Sequence, residues 1–255
     1  MTLQAAVISS FGPPEVLRSS ELPDPVAGPG EVVLDVRVAS ITFVETQLRN
    51  GTPPHVSMAP ERPAILGNGV GGRVVAVGDG VDPGLLGSEA ITTTGGRGGY
   101  AERVAVPAAG LIEVTHDLRL DDAVALLADG RTAVSLMPVA RTQRGERVLA
   151  LAAAGGVGTL LVQLANNAGA HVVAAAGGER KLAVDLDLGA AETVDYLCRG
   201  WTDALEPVDL VFDGVGGAIG RAAFDLVRVG GRYLHFGMAG GAFTATTRTK
   251  RPTAR

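Results

Sequence analysis

Residues 147–165 read RVLALAAAGGVGTLLVQLA. An apolar run leads into a turn of small residues, and a second apolar run with helical spacing leaves it. Ala153, Gly155 and Gly158 occupy the three small positions of an A-x-G-x-x-G variant of the dinucleotide fingerprint, with Gly156 and Val157 inside it. The chemistry needs this pattern. Gly155 lets the backbone approach a pyrophosphate, Gly158 permits close packing of helix on strand, and the helix N–H groups face the negative charge. Ala153 stands where the tight turn tolerates a methyl. A further apolar strand after Gly169 completes the strand, helix, strand unit that the mechanism demands.

From Val148 to Gly178 there is no Asp, Glu, Lys or Arg, a stretch long enough to suggest a membrane span. The interrupting glycines, with Gln163, Asn166, Asn167 and His171, argue instead for a buried strand, helix and strand. Its second strand, in HVVAAAGGERK, bears on the choice of cofactor. An NAD-selective site usually carries an acidic residue at the carboxyl end of this strand, to bind ribose hydroxyls; here Ala176, Gly177 and Gly178 stand there. Arg180 and Lys181 follow and can pair with a 2′-phosphate, so NADPH is the expected cofactor. The alternative is that both cations form a solvated first turn, partly offset by Glu179.

Downstream the alternation continues, with strands expected at Thr193 to Tyr196, Val208 to Phe212 and Arg232 to Phe236. Helices are expected at Thr159 to Ala168, Arg180 to Leu188 and Ile219 to Val227. Apolar strands alternating with helices imply a doubly wound parallel sheet covered on both faces. Upstream the texture differs. Glu31 to Val38 and Gly72 to Val77 are β-type runs between Pro and Gly clusters, which suggests a small barrel or sandwich. DDAVALLADGRTAVSLM, from Asp121, has helical spacing. The expected domains are 1–118, 119–241 and a basic tail, 242–255, expected to be disordered.

Composition sets outer limits. With 255 residues, 46% hydrophobic, the chain can bury a substantial core. A formal charge of −5 gives no general reason to expect nucleic acid or an anionic membrane as partner, and a small molecule fits better. The start lacks the basic and apolar regions of a secretory signal, so cytoplasm is the expected location. Cys198 is the only cysteine, which excludes an intrachain disulfide and a cysteine-rich zinc site; a buried spectator thiol is expected. His55, His116, His171 and His235 show no metal-ligand spacing, so no metal is expected.

Several motifs carry a family resemblance from about Met1 to Gly241: AAVISSFGPPEVL, PDPVAGPGEVVLDVRVASI, ILGNGVGGRVVAVGDGV, GGYAERVAVPAAGLIEV, DGRTAVSLM, AAAGGVG, VDLVFDGVGG and GGRYLHFG. Together they resemble the medium-chain dehydrogenase/reductase superfamily, in its zinc-independent, zeta-crystallin-like quinone oxidoreductase branch. The resemblance implies a GroES-like β-barrel domain on the substrate side and a Rossmann domain, with the cofactor in the cleft between them. It implies that Lys181 and Tyr196 approach the adenosine phosphate and adenine, that Gly214, Phe236 and Gly237 lie beside the cofactor, and that Thr132 lies near the nicotinamide. For Tyr196 and Phe236, plain packing at strand ends is the alternative. Gly67-Asn68-Gly69 stands where zinc alcohol dehydrogenases have Gly-His-Glu. In ASITFVETQLRNG, the family's Asn, Asp and aromatic positions read Thr42, Glu45 and Gln47, which makes these three the substrate-side candidates and alters the usual contacts.

No catalytic residue is singled out, because hydride transfer to a quinone can rely on positioning, with protons from water. Relatives continue beyond the stretch matching Arg232 to Phe236, so the last strand of the sheet is expected to be missing and the family's homodimer is in question. A shifted frame or premature stop would account for this and for the basic ending TATTRTKRPTAR. Two functions remain open: an NADPH-dependent quinone or enone reductase, and an NADPH-binding protein without turnover, whether a sensor, a structural protein or a truncated relic.

Overall fold

The computed structural model describes residues 2–244. The chain divides into two compact units, Met1–Ala128 and Asp129–Arg255. Of the basic tail expected from residue 242, positions 245–255 lie outside the described residues.

The first unit contains β1 (Thr2–Ile8), β2 (Leu17–Pro23), β3 (Glu31–Ala39), α1 (Phe43–Asn50), β4 (Ala64–Ile65), β5 (Gly69–Val77), β6 (Glu89–Thr93), β7 (Arg103–Pro107) and β8 (Ile112–Glu113). These strands form two antiparallel sheets, ordered β2-β1-β4 and β7-β3-β5-β6-β8. The period of two explains the larger one: Val32 and Leu34 of β3 point to a core shared with Val70, Val74, Val104 and Val106. This is the GroES-like domain.

The helix α2 (Leu120–Ala140) contributes to both units. Ala123, Val124 and Leu127 join a core of the first, and Ala133 and Ala140 one of the second. It is long and apolar enough to cross a membrane by length and composition. About a quarter of that stretch, 28%, is buried, and Leu126, Val134 and Val139 are exposed.

The second unit continues with β9 (Arg147–Leu151), α3 (Gly156–Asn167), β10 (His171–Ala176), α4 (Glu179–Asp187), β11 (Glu192–Asp195), β12 (Val208–Asp213), α5 (Gly217–Asp225) and β13 (Val227–His235). All five strands are parallel, in the order β11-β10-β9-β12-β13. Alternate residues bury on opposite faces. Val148, Ala150, Val172, Ala174, Leu210 and Phe212 enter one core, and Leu149, Leu151, Val173, Ala175, Val208 and Val211 the other. Trp201, the sole tryptophan, packs against the second core. This is the Rossmann sheet, and its strand order reverses between β9 and β12, the position at whose carboxyl ends such sheets generally bind ligands.

One expected element changes. The helix placed at Ile219 to Val227 ends at Asp225, and Val227 already begins β13, which extends well before the expected Arg232. Gly230-Gly231 within VRVGGRYLH disguised the strand, and a register shift against β12 accommodates them.

The amino ends of the strands are tied by charge. Glu146 pairs with Arg232 through two hydrogen bonds, Glu192 takes two from Arg147 and one from His171, and Asp209 accepts from Arg147 N–H and pairs with Arg228.

Candidate functional site

The glycine turn sits at the carboxyl end of β9, beside the strand-order reversal. Ala152 opens it at φ +50°, a left-handed conformation that costs a non-glycine residue about 1 kcal/mol. Two backbone hydrogen bonds hold it: Ala153 N–H donates to Ala175 O at 3.1 Å and Gly155 N–H to Ala152 O at 2.9 Å. Ala153 and Gly158 are buried, while Gly155 and Gly156 are exposed and Val157 is half-buried. Gly155 caps α3 with no side-chain hydrogen bond, leaving first-turn N–H groups for an anionic ligand.

Gly158 is the steric keystone. A Cβ there would lie 2.3 Å from Ala152 O and 2.4 Å from Ala153 O, so the helix could not seat on its strand. Gly156 has a different neighbour: a Cβ on it would lie 1.9 Å from Asp129 Oδ2. An acidic side chain therefore rests against the first turn of α3, and burial pushes its carboxyl above the ordinary Asp value. The dipole of α3 favours a negative group there.

At the end of β10, Gly178 caps α4 at φ +87°, with open space where a Cβ would be. Arg180 and Lys181 are exposed in the first turn of α4, in no ion pair among the described residues. Tyr196 follows β11; its N–H donates to Ala176 O, and its ring lies 3.4 Å from the Cβ position of Gly177. Burial, then the charges of Asp195 and Asp185, raise its phenol above the ordinary tyrosine range. Cys198 lies in the turn beyond β11 and is exposed, contrary to the buried thiol expected. The apolar strand ends before it, and the turn carries it outward.

On the other side of β9, Gly214, Phe236 and Gly237 converge. The Phe236 ring approaches the Cβ position of Gly214 to 2.9 Å, and Gly214 O lies equally near that of Gly237. Beneath them is a group that sequence reasoning missed. Asp213 is fully buried, and its Oδ1 accepts from the N–H groups of Val215 and Gly216, each at 2.8 Å. Its Oδ2 meets Tyr233 OH, Thr244 Oγ1 and His235 Nδ1. Burial raises its carboxyl, but the bonds from Tyr233, Gly216, His235 and Thr244 outweigh that and hold it below the ordinary value. Asp213 thus ties the Gly214 to Gly216 loop to the end of β13. Thr132 is half-buried on α2.

In the first unit, Thr42 caps α1, and Glu45 Oε2 accepts a hydrogen bond from Thr42 N–H. Glu45 is buried, and its other oxygen accepts from Asn68 N–H at 2.7 Å. Its charge and hydrogen bond contribute, after burial, to raising Tyr100 above the tyrosine range. The T-x-x-E spacing of a capping box was already present in the sequence. Gln47 is half-buried on the same helix.

Two domain families match: the alcohol dehydrogenase GroES-like domain over residues 28–116 and the zinc-binding dehydrogenase family over residues 156–252. The chain is 32% identical over 246 residues to a probable quinone oxidoreductase of Schizosaccharomyces pombe, covering 93% of this chain and 72% of that one. It is 31% identical over 248 residues to a 2-haloacrylate reductase of a Burkholderia species, covering 94% and 74%. A mycobacterial protein solved with NADPH superposes with a TM-score of 0.83 at 30% identity, covering 96% of this chain and 76% of that one. Fold and site together define an oxidoreductase scaffold built to take a nicotinamide cofactor. The chain belongs to the medium-chain dehydrogenase/reductase superfamily, in its quinone oxidoreductase branch.

The residues present fit that cofactor: an uncapped helix start, a turn that Cβ atoms would fill, and free cations at the second strand. They do not fit the metal in the second family's name. Asn68 stands in the Gly67 to Gly69 stretch, Cys198 is solitary, and among the described residues no three His, Cys, Asp or Glu side chains are grouped to hold an ion.

Proposed function

We propose that this chain is a zinc-independent, cytoplasmic oxidoreductase that transfers hydride from NADPH to a quinone or another conjugated carbonyl acceptor. The observation that carries the reading is the Ala153 to Gly158 turn, where a buried glycine seats α3 on its strand and the helix start is left uncapped by side chains. The turn holds the pyrophosphate on the first N–H groups of α3, with Gly156 and Val157 in that first turn. Arg180 and Lys181 take the 2′-phosphate, Tyr196 and Gly178 flank the adenosine, and Gly214, Phe236, Gly237 and Thr132 serve the nicotinamide end. Bound NADPH supplies the hydride.

The relatives support the acceptor class, since one is named for quinones and the other for 2-haloacrylate, an electron-poor conjugated alkene. The NADPH of the mycobacterial neighbour supports the cofactor. Thr42 and Gln47 are the substrate-side contacts, with Glu45 positioning them through α1.

The purified chain should oxidise NADPH with at least one member of a panel of quinones and enones, followed by cofactor absorbance. Measurable NADPH binding with no oxidation would reject turnover. That result would leave the second reading, a binding protein without catalysis, which the engagement of Glu45 by backbone N–H groups favours. Lys181→Ala should weaken NADPH by about tenfold more than NADH, as expected for the loss of a phosphate contact. Equal weakening would refute the 2′-phosphate assignment.

A further inference from the structure

The second strand of a dinucleotide-binding sheet usually ends in the acidic residue that reads the adenosine ribose. Here β10 ends Ala176-Gly177-Gly178. The structure nonetheless supplies a carboxylate at that point, from the neighbouring strand. Asp195 closes β11 directly opposite Ala176. Its Oδ2 accepts a hydrogen bond from Gly178 N–H at 3.1 Å, and its Oδ1 accepts from Leu197 N–H at 2.9 Å.

Three consequences follow from this geometry. The carboxylate is oriented before any ligand arrives, because a separate backbone donor fixes each oxygen. Each oxygen also keeps a second acceptor site, which suits it to a hydroxyl and not to a phosphate. Finally, Gly178 N–H, a donor that a 2′-phosphate could have used at the start of α4, is already taken. Against these stand Arg180 and Lys181, exposed in the next turn and attractive to a phosphate. A carboxylate and two cations therefore stand near the carboxyl end of β10.

We infer that Asp195 is a specificity-determining residue of the adenosine subsite: it receives the ribose 2′-hydroxyl of NADH and counteracts the cations, so that both NADH and NADPH are accepted. The inference rests on the dinucleotide reading above and refines its cofactor preference.

Calorimetric titration of the full chain with NADPH, NADH and adenosine 2′,5′-bisphosphate tests it without requiring turnover. Wild-type dissociation constants for the two dinucleotides should lie within about tenfold of each other, and Asp195→Asn should move their ratio toward NADPH by about tenfold. Adenosine 2′,5′-bisphosphate should bind the variant more tightly than the wild type. A wild-type NADPH preference above about a hundredfold overturns the inference, as does a ratio changed less than about twofold in a variant that still binds both. If Asp195→Asn does not fold, the wild-type ratio decides alone. Failure of the wild type to bind either dinucleotide is a distinct result, which overturns the dinucleotide reading and this inference together.

Discussion

The two ends of the parallel sheet are built from different chemistry. At the amino ends, carboxylates meet guanidinium groups: Glu146 with Arg232, Glu192 with Arg147 and Asp209 with Arg228. At the carboxyl ends, Asp213 and Asp195 accept from backbone N–H groups, while Arg180 and Lys181 are left without ion pairs among the described residues. One end spends its charges on itself, and the other keeps cations and helix N–H groups for a ligand. The difference supports the proposal that the amino end serves the fold and the carboxyl end the ligand.

The largest blow to this contrast should come from Gly158→Ala. Its methyl would meet two backbone oxygens that no side-chain motion can relieve, so a loss of about 3 kcal/mol of stability is expected in chemical denaturation. Dinucleotide binding should become undetectable by calorimetry, and a stable variant with unchanged affinity would remove the turn from the site.

Asp185 is the exception that sharpens the rule. It is fully buried in α4 with neither oxygen hydrogen-bonded among the described residues, and burial pushes its carboxyl from 3.8 up to about 6. A raised folded-state value means that ionisation favours the unfolded chain, so its penalty should grow as pH rises from about 4 to 6 and then level off. Asp185→Leu should therefore stabilise the protein by about 2 kcal/mol at pH 8 and much less at pH 4. A gain independent of pH would show that packing, not charge, is responsible.

The smallest effect belongs to the amino end. The hydrogen bond from Arg147, followed by that from His171, holds the Glu192 carboxyl down to about 2. A lowered value contributes stability that is present above the ordinary Glu range and is lost as pH falls toward 2. Glu192 is 41% exposed, so Glu192→Gln should cost less than about 1 kcal/mol at pH 7. That difference should vanish near pH 2, and cofactor affinity should be unchanged. A fall in affinity would break the division between the two ends.

Much of the second unit was legible because parallel strands buried on both faces leave continuous apolar runs, and GGVG after the first of them marks the turn from strand to helix. The missed residues depend on register. Asp195 reaches Gly178 only because β11 pairs with β10 at Ala176, and Asp213 meets His235 only because β12 and β13 pair in parallel there. Neither pairing leaves a local trace in sequence. Glu45 is the opposite case: its partner Thr42 lies three residues away, in a capping-box spacing that the sequence displays.

The position of Trp201 has a practical consequence. As the sole tryptophan, packed against a core of the second unit, it makes indole emission a private optical channel for that unit, silent on the antiparallel sheets of the first. Recording it beside far-ultraviolet dichroism, which hears both units at once, turns one melt into a test of cooperativity. Coincident curves would mean a single folding transition, and separated curves two.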